Sequence, residues 1–139
     1  MDLHRALDFA SHRRTTVLTT LRRDGRPQQS VVFYLADDDR FTISLTDSRA
    51  KTKNLRRDPR AALFIAGDNP FEWVSLDGTG SLSPVASAPD DETVDALVDY
   101  SRRGSGEHGD WDEYRAAMVA DGRLVATFTA TSATGMLPE

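Results

Sequence analysis

Six of the chain's 17 basic residues, Arg49, Lys51, Lys53, Arg56, Arg57 and Arg60, fall within twelve consecutive positions. The chain as a whole is acidic, with a formal net charge of −5 at pH 7, so this crowding is the feature best suited to chemistry. Ser48 to Arg57 consists of good helix formers behind a Ser or Asp cap, and Asp58-Pro59 stops it. On such a helix Arg49, Lys53 and Arg56 share one face, while Lys51 and Leu55 share another. Early in the helix, free backbone N–H groups and the positive end of the dipole favour an anion. Arg49 and Lys51, with the Thr52 hydroxyl and Asn54 amide nearby, can add charged and neutral donors to a phosphate or carboxylate. On spacing alone a solvated basic face ranks ahead of such a site. Nucleic-acid binding ranks third, because no aromatic residues interleave the cations and the net charge repels a polyanion.

Other chemistries find less support. There is no cysteine, which excludes disulfides, thiolate metal sites and cysteine nucleophiles, and fits a reducing cytoplasm. His4, His12 and His108 are far apart and lack metal-binding spacing, so no metal site is expected. No Gly-x-Ser-x-Gly element occurs, and the glycines from Gly104 to Gly109 lack the Lys-Ser/Thr of a phosphate loop. Asp90-Asp91-Glu92 reads as a helix start before it reads as a calcium loop.

The elements that must position the basic segment are legible in outline. Leu3, Ala6, Leu7 and Ala10 predict a helix over residues 3–13. Thr15 to Leu21 is rich in β-branched residues and predicts a strand, turned by Asp24-Gly25 into a returning strand from Gln28 to Ala36. A third strand follows from Arg40 to Thr46, making a short-linked meander that leads into the basic helix. Ala61 to Gly67 reads as an interior strand, and Phe71 to Val85 as a long strand or hairpin bent at Asp77-Gly78 and Gly80. Pro89 to Glu92 opens a helix buried through Val94, Leu97 and Val98, and Arg103 to Gly106 reads as a loop. Trp111, Tyr114 and Met118 mark a further helix, and Leu124 to Thr131 a last strand. Residues 132–139 show no clear pattern. About six strands with three or four helices, and no strict βαβ alternation, predict an α+β, mainly β fold built on an antiparallel barrel.

With 139 residues, 39% of them apolar and 28% charged, the chain has the size and composition of one globular domain over residues 1–139. No apolar run approaches the ~20 residues that cross a bilayer. Met1-Asp2-Leu3-His4-Arg5 is polar where a signal peptide would be apolar, so a cytoplasmic protein without membrane attachment is expected.

The stretch from Ser48 to Ala61, after the strand Phe41 to Thr46, resembles a signature of the pyridoxamine 5′-phosphate oxidase-like split β-barrel proteins. Within them it is most similar to the F420-binding flavin/deazaflavin oxidoreductases. Asp24-Gly25-Arg26-Pro27-Gln28, Asp77-Gly78-Thr79-Gly80, Ala88-Pro89-Asp90-Asp91 and Gly106 to Trp111 with Tyr114-Arg115 extend the resemblance over nearly the whole chain. It implies a split-barrel homodimer with two coenzymes in grooves at the subunit interface. It implies that Arg49, Lys51 and Thr52, assisted by Asn54, grip the coenzyme phosphate. Gln28, Ser30 and Ser44 would line the ring or ribityl portion, and the partner subunit would lend Phe71 and Trp73. The coenzyme implied is F420, with FMN as the alternative, and the reaction is hydride transfer to an unsaturated small-molecule acceptor. Because that chemistry belongs to the coenzyme, no side chain is assigned as acid, base or nucleophile. An FMN-dependent oxidoreductase or oxidase and a non-catalytic coenzyme-binding protein remain as alternatives. Val31, Val32 and Phe33 depart from the pattern, which is polar along the second strand.

Overall fold

In the computed structural model, which describes residues 1–139, period-two alternation builds most of the sheet. Strand β1 (Thr15–Leu21) buries Thr16, Leu18 and Thr20 and turns through Gly25, at φ 89°, into β2 (Pro27–Phe33). At Tyr34 the ladder breaks. The short β3 (Leu35–Asp37) then pairs with β4 (Arg40–Thr46) and not with β1. After helix α2 (Ala50–Arg57) come β5 (Arg60–Ala66) and β6 (Trp73–Leu82). Helices α3 (Glu92–Ser105) and α4 (Trp111–Ala120) precede β7 (Arg123–Met136), while α1 (Leu3–Ser11) opens the chain.

The seven strands form one antiparallel sheet in the order β2-β1-β5-β6-β7-β4-β3. Its two edge strands, β2 and β3, are joined in the chain by Tyr34 alone. One residue spans little more than 3 Å per step of extended chain, so the sheet must curl until its edges nearly meet. The result is a split antiparallel β-barrel with helices inserted and flanking.

This arrangement corrects the expected three-strand meander. Gln28 to Ala36 is two strands at opposite sheet edges, because Tyr34 is buried in the barrel and pulls the chain across. The strand count is therefore seven. The Tyr34 hydroxyl donates to the Ala10 carbonyl of α1 at 2.7 Å, and its ring packs edge-on against Phe41, 5.3 Å between centroids. Phe41 packs in turn on Phe128 at 5.9 Å. Leu18, Ile43, Leu45, Leu63, Ile65, Val74, Leu76 and Leu124 complete the interior. Burial pushes the Tyr34 phenol up to about 12, with Arg13 and Arg14 pulling it back.

Other boundaries also shift. Phe71 to Val85 holds a single strand, β6, with a register irregularity against β7 at Asp77/Gly78, where a bulge or bend was expected. A Cβ at Gly78 would run into the Thr129 carbonyl oxygen, so the strands can approach there only around glycine. A Cβ at Gly80 would lie 3.1 Å from the Leu55 side chain, so this glycine lets α2 lie close on the sheet. Arg103 to Ser105 is helical, not a loop, and α3 ends at Gly106 with φ 83°. The last strand runs on to Met136 because β6 offers it partners as far as Trp73. Helix α2 has Arg49 as its N-cap and no side-chain cap, in place of the expected Ser or Asp.

Helices α3 and α4 make a small second cluster in which Ala86, Val94 and Val98 pack with Trp111, Tyr114 and Met118. No helix is long and apolar enough to cross a membrane. Asp91 secures the start of α3: its carboxylate accepts from the N–H groups of Ser87 at 2.8 Å, Ala88 at 3.1 Å and Val94 at 2.8 Å. The Ser87 and Val94 N–H groups are the main reason that its carboxyl is held down at about 2, below the ordinary 3.8. Because the folded value is the lower one, the stabilisation is complete above the ordinary range and disappears as pH falls through about 2. Asp91→Asn should therefore melt earlier than the parent at neutral pH, and the two melting curves should converge as the solution is acidified toward about 2. Thermal denaturation followed by circular dichroism across that range checks this; parallel pH profiles would contradict it.

Candidate functional site

A cleft of about 580 Å³ opens between edge strand β2, the end of β4, the start of α2, helices α3 and α4, and the first residue of β7. Its charged lining is entirely cationic: Arg49, Lys51 and Arg123. Arg123 reaches Lys51 because Thr46, the last residue of β4, pairs with Arg123 in the β4–β7 ladder. Thr46 also holds α2 in place by accepting from the Thr52 hydroxyl at 2.7 Å.

None of the three cations has a carboxylate partner. Lys51 Nζ donates to Ser30 Oγ at 3.2 Å. Burial lowers the affinity of Lys51 for its proton, and the nearby Arg49 and Arg123 lower it further. Arg123 keeps its Nε buried with no hydrogen-bond acceptor. A buried guanidinium N–H without an acceptor is costly, and an anion in the cleft would supply one. The uncapped start of α2 adds backbone N–H groups at the same end. The remaining basic residues of the segment are otherwise engaged or outside. Arg56 pairs with Asp47 at 2.8 Å and Arg60 with Asp58 at 2.8 Å, Arg57 donates to the Leu21 carbonyl at 2.7 Å, and Lys53 is exposed outside the cleft.

Tyr100 of α3 and Tyr114 of α4 wall the cleft opposite the apolar Val31, Val32 and Phe33 of β2. Burial raises both phenols. The Ser44 backbone N–H partly offsets the effect at Tyr100, and Ser101 and Arg123 do so at Tyr114. The Tyr114 hydroxyl donates to the Leu97 carbonyl at 3.0 Å and that of Tyr100 to the Phe33 carbonyl at 3.4 Å. Ser44 adds a neutral polar residue to the lining.

Of the residues expected to bind a coenzyme, Ser44, Arg49 and Lys51 line this cleft, and Ser30 meets it through Lys51. Thr52, Asn54 and Gln28 are turned elsewhere. The fully buried Thr52 is committed to Thr46. Asn54 Nδ2 donates to Thr20 Oγ1 at 3.1 Å, and Thr20 in turn donates to Gln28 Oε1 at 3.4 Å. This chain ties α2 to β1 and β2, so the three residues set where the cations stand. Trp73 lies outside the cleft of its own chain and stacks on Phe64 at 5.5 Å, and Phe71 is exposed. Arg123, Tyr100 and Tyr114 were not anticipated, because strand order and helix placement alone bring them here. A basic residue directly after the Asp121-Gly122 turn was the one trace of Arg123 in the sequence.

Residues 3–132 match the family model described as pyridoxamine 5′-phosphate oxidase. The chain belongs to that family. Solved structures share its split barrel at low identity. An F420 reductase is 24% identical, with a TM-score of 0.66, over 87% of this chain and 89% of the other. A conserved hypothetical protein from Mycobacterium tuberculosis is 23% identical, with a TM-score of 0.70, over 96% and 82%. The heme storage protein HutZ from Vibrio cholerae is 14% identical, with a TM-score of 0.68, over 98% and 96%. The donor set in the cleft suits the phosphate of a flavin-type coenzyme: cations, hydroxyls, an orphaned guanidinium N–H and no carboxylate.

Inorganic phosphate, compared with chloride at equal ionic strength, should therefore raise the melting temperature. At about 100 times its Kd the gain is about 2.7 kcal/mol. Arg123→Met should lose most of that gain in a thermal-shift assay; an undiminished gain would remove Arg123 from the site.

Proposed function

We propose that this member of the pyridoxamine 5′-phosphate oxidase family is a homodimeric oxidoreductase that binds coenzyme F420. The supporting observation is that three unpaired cations, Arg49, Lys51 and Arg123, line one cleft together with Tyr100 and Tyr114. Phosphate would sit on the cations and the uncapped start of α2, where charge-assisted donors are strongest. The ring system would lie along Tyr100, Tyr114 and the apolar face of β2, which favours flat aromatic matter. Reduced F420, when bound, supplies a hydride to an unsaturated acceptor, whose reduction is completed by a proton. The protein's part is to anchor, to orient and to exclude water. Lys51, held by Ser30, fixes the phosphate end, and the aromatic wall limits tilt.

F420 is favoured over FMN by charge outside the cleft. Its oligoglutamate tail adds carboxylates, and Lys53, exposed on α2 without an ion-pair partner, is available to meet them. Arg56, on the same helix, is already paired with Asp47. The homodimer is supported by the exposed apolar side chains Val31, Phe33 and Phe71, 72%, 68% and 72% accessible. An edge strand that presents such a face to water is a natural pairing surface.

Titrating F420 or FMN and following fluorescence quenching ranks the two coenzymes, and Lys51→Ala should weaken the preferred one by about tenfold or more. Unchanged affinity in that variant would reject the site. Turnover of reduced F420 with quinones, enones and tetrapyrroles then separates an enzyme from a coenzyme carrier. In sedimentation velocity the parent should run as a dimer, and Val31→Glu combined with Phe71→Glu should shift it toward monomer. A monomeric parent would remove the shared-groove part of the proposal.

A further inference from the structure

A second cavity, of about 400 Å³, lies on the far side of Phe33, Tyr100 and Tyr114, which also wall the coenzyme cleft. Its other walls are Tyr34 and Leu35, where the chain crosses between sheet edges, and the Ser101 to Ser105 end of α3. The three aromatic residues with accessible surface, Phe33, Tyr100 and Tyr114, suit a flat apolar body. The one charged residue in the lining is Arg14. Neighbouring cations hold carboxylates, Arg13 that of Glu72 at 2.9 Å and Arg103 that of Asp37 at 2.8 Å. Arg14 holds none; its only side-chain hydrogen bond is a long one, 3.5 Å to the Gly104 carbonyl.

We propose that this cavity is a ligand site of its own, and that it selects a flat, apolar molecule bearing a carboxylate, which Arg14 receives. One observation carries this beyond the coenzyme cleft. Arg49, Lys51 and Arg123 line only the cleft and Arg14 only this cavity, so each has its own anchor for negative charge. The carboxylate preference does not rest on the proposed redox function.

The test is calorimetric titration of naphthoate and of naphthamide, which share a ring system and differ in charge, into the coenzyme-free protein. Naphthoate should bind about tenfold tighter than the amide, as a charge-assisted contact predicts. Arg14→Met, which keeps much of the apolar stem, should erase that difference. Ser101→Phe, confirmed folded by circular dichroism, should fill the cavity and abolish binding of both. Lys51→Ala should leave naphthoate binding intact. Equal affinity for acid and amide in the parent overturns the proposal. So does naphthoate binding that survives Arg14→Met but is lost in Lys51→Ala, which would place it on the phosphate site. Titrating F420 and FMN into the same variants keeps the two readings apart. Coenzyme binding without a carboxylate preference defeats only this inference, whereas the preference without coenzyme binding defeats only the redox reading.

Discussion

Tyr34 carries the constraint on which the rest of the molecule depends. It is the single residue between two edge strands at opposite ends of the hydrogen-bonded order. Its backbone N–H donates to the Arg14 carbonyl at 2.9 Å, its hydroxyl donates to Ala10, and its ring is almost wholly buried. Holding that residue inside forces the sheet to close on itself. Closure brings β2 over α2, so that Ser30 meets Lys51 and the apolar face of β2 becomes one wall of a cleft. With the sheet opened, the basic helix would face solvent and be a charged surface like any other.

Within that frame the basic residues separate by what surrounds them. Arg56, Arg57 and Arg60 are satisfied by nearby carboxylates and carbonyls. Arg49 and Lys51 are not, and β7 adds Arg123 to them. Like charges held together raise the free energy of the cleft, and an anion bound there would lower it. The polar network of Thr20, Gln28, Thr52 and Asn54 opposes relaxation of α2 away from its neighbours. Thr52, Asn54 and Gln28, expected to touch a ligand, thus serve to position the residues that line the cleft.

The β texture, the basic helix, the stop at Asp58-Pro59 and the bulge at Asp77-Gly78 were all legible in sequence. Each is a local matter of propensity, capping or turn geometry. Ser44, Arg49 and Lys51 were legible as candidates because the family resemblance marks their positions, and the structure brings them to one cleft. What failed to show was long-range. The break at Tyr34 lies inside an unbroken run of strand-forming residues, and nothing local distinguishes it from a continuous strand. The end of β7 was obscure because Ser132 to Met136 owes its extended form to pairing with β6.

By itself the sequence determined an antiparallel barrel, a cationic segment in an acidic chain, and the identity of the helix that carries it, since these follow from contacts a few residues long. The tertiary structure alone decided which cations go unpaired, that Arg123 joins them, and that Tyr100 and Tyr114 divide one cavity from another. The reason is physical. Charge pairing and cavity walls depend on distances between residues far apart along the chain, and only strand order and sheet closure set those distances.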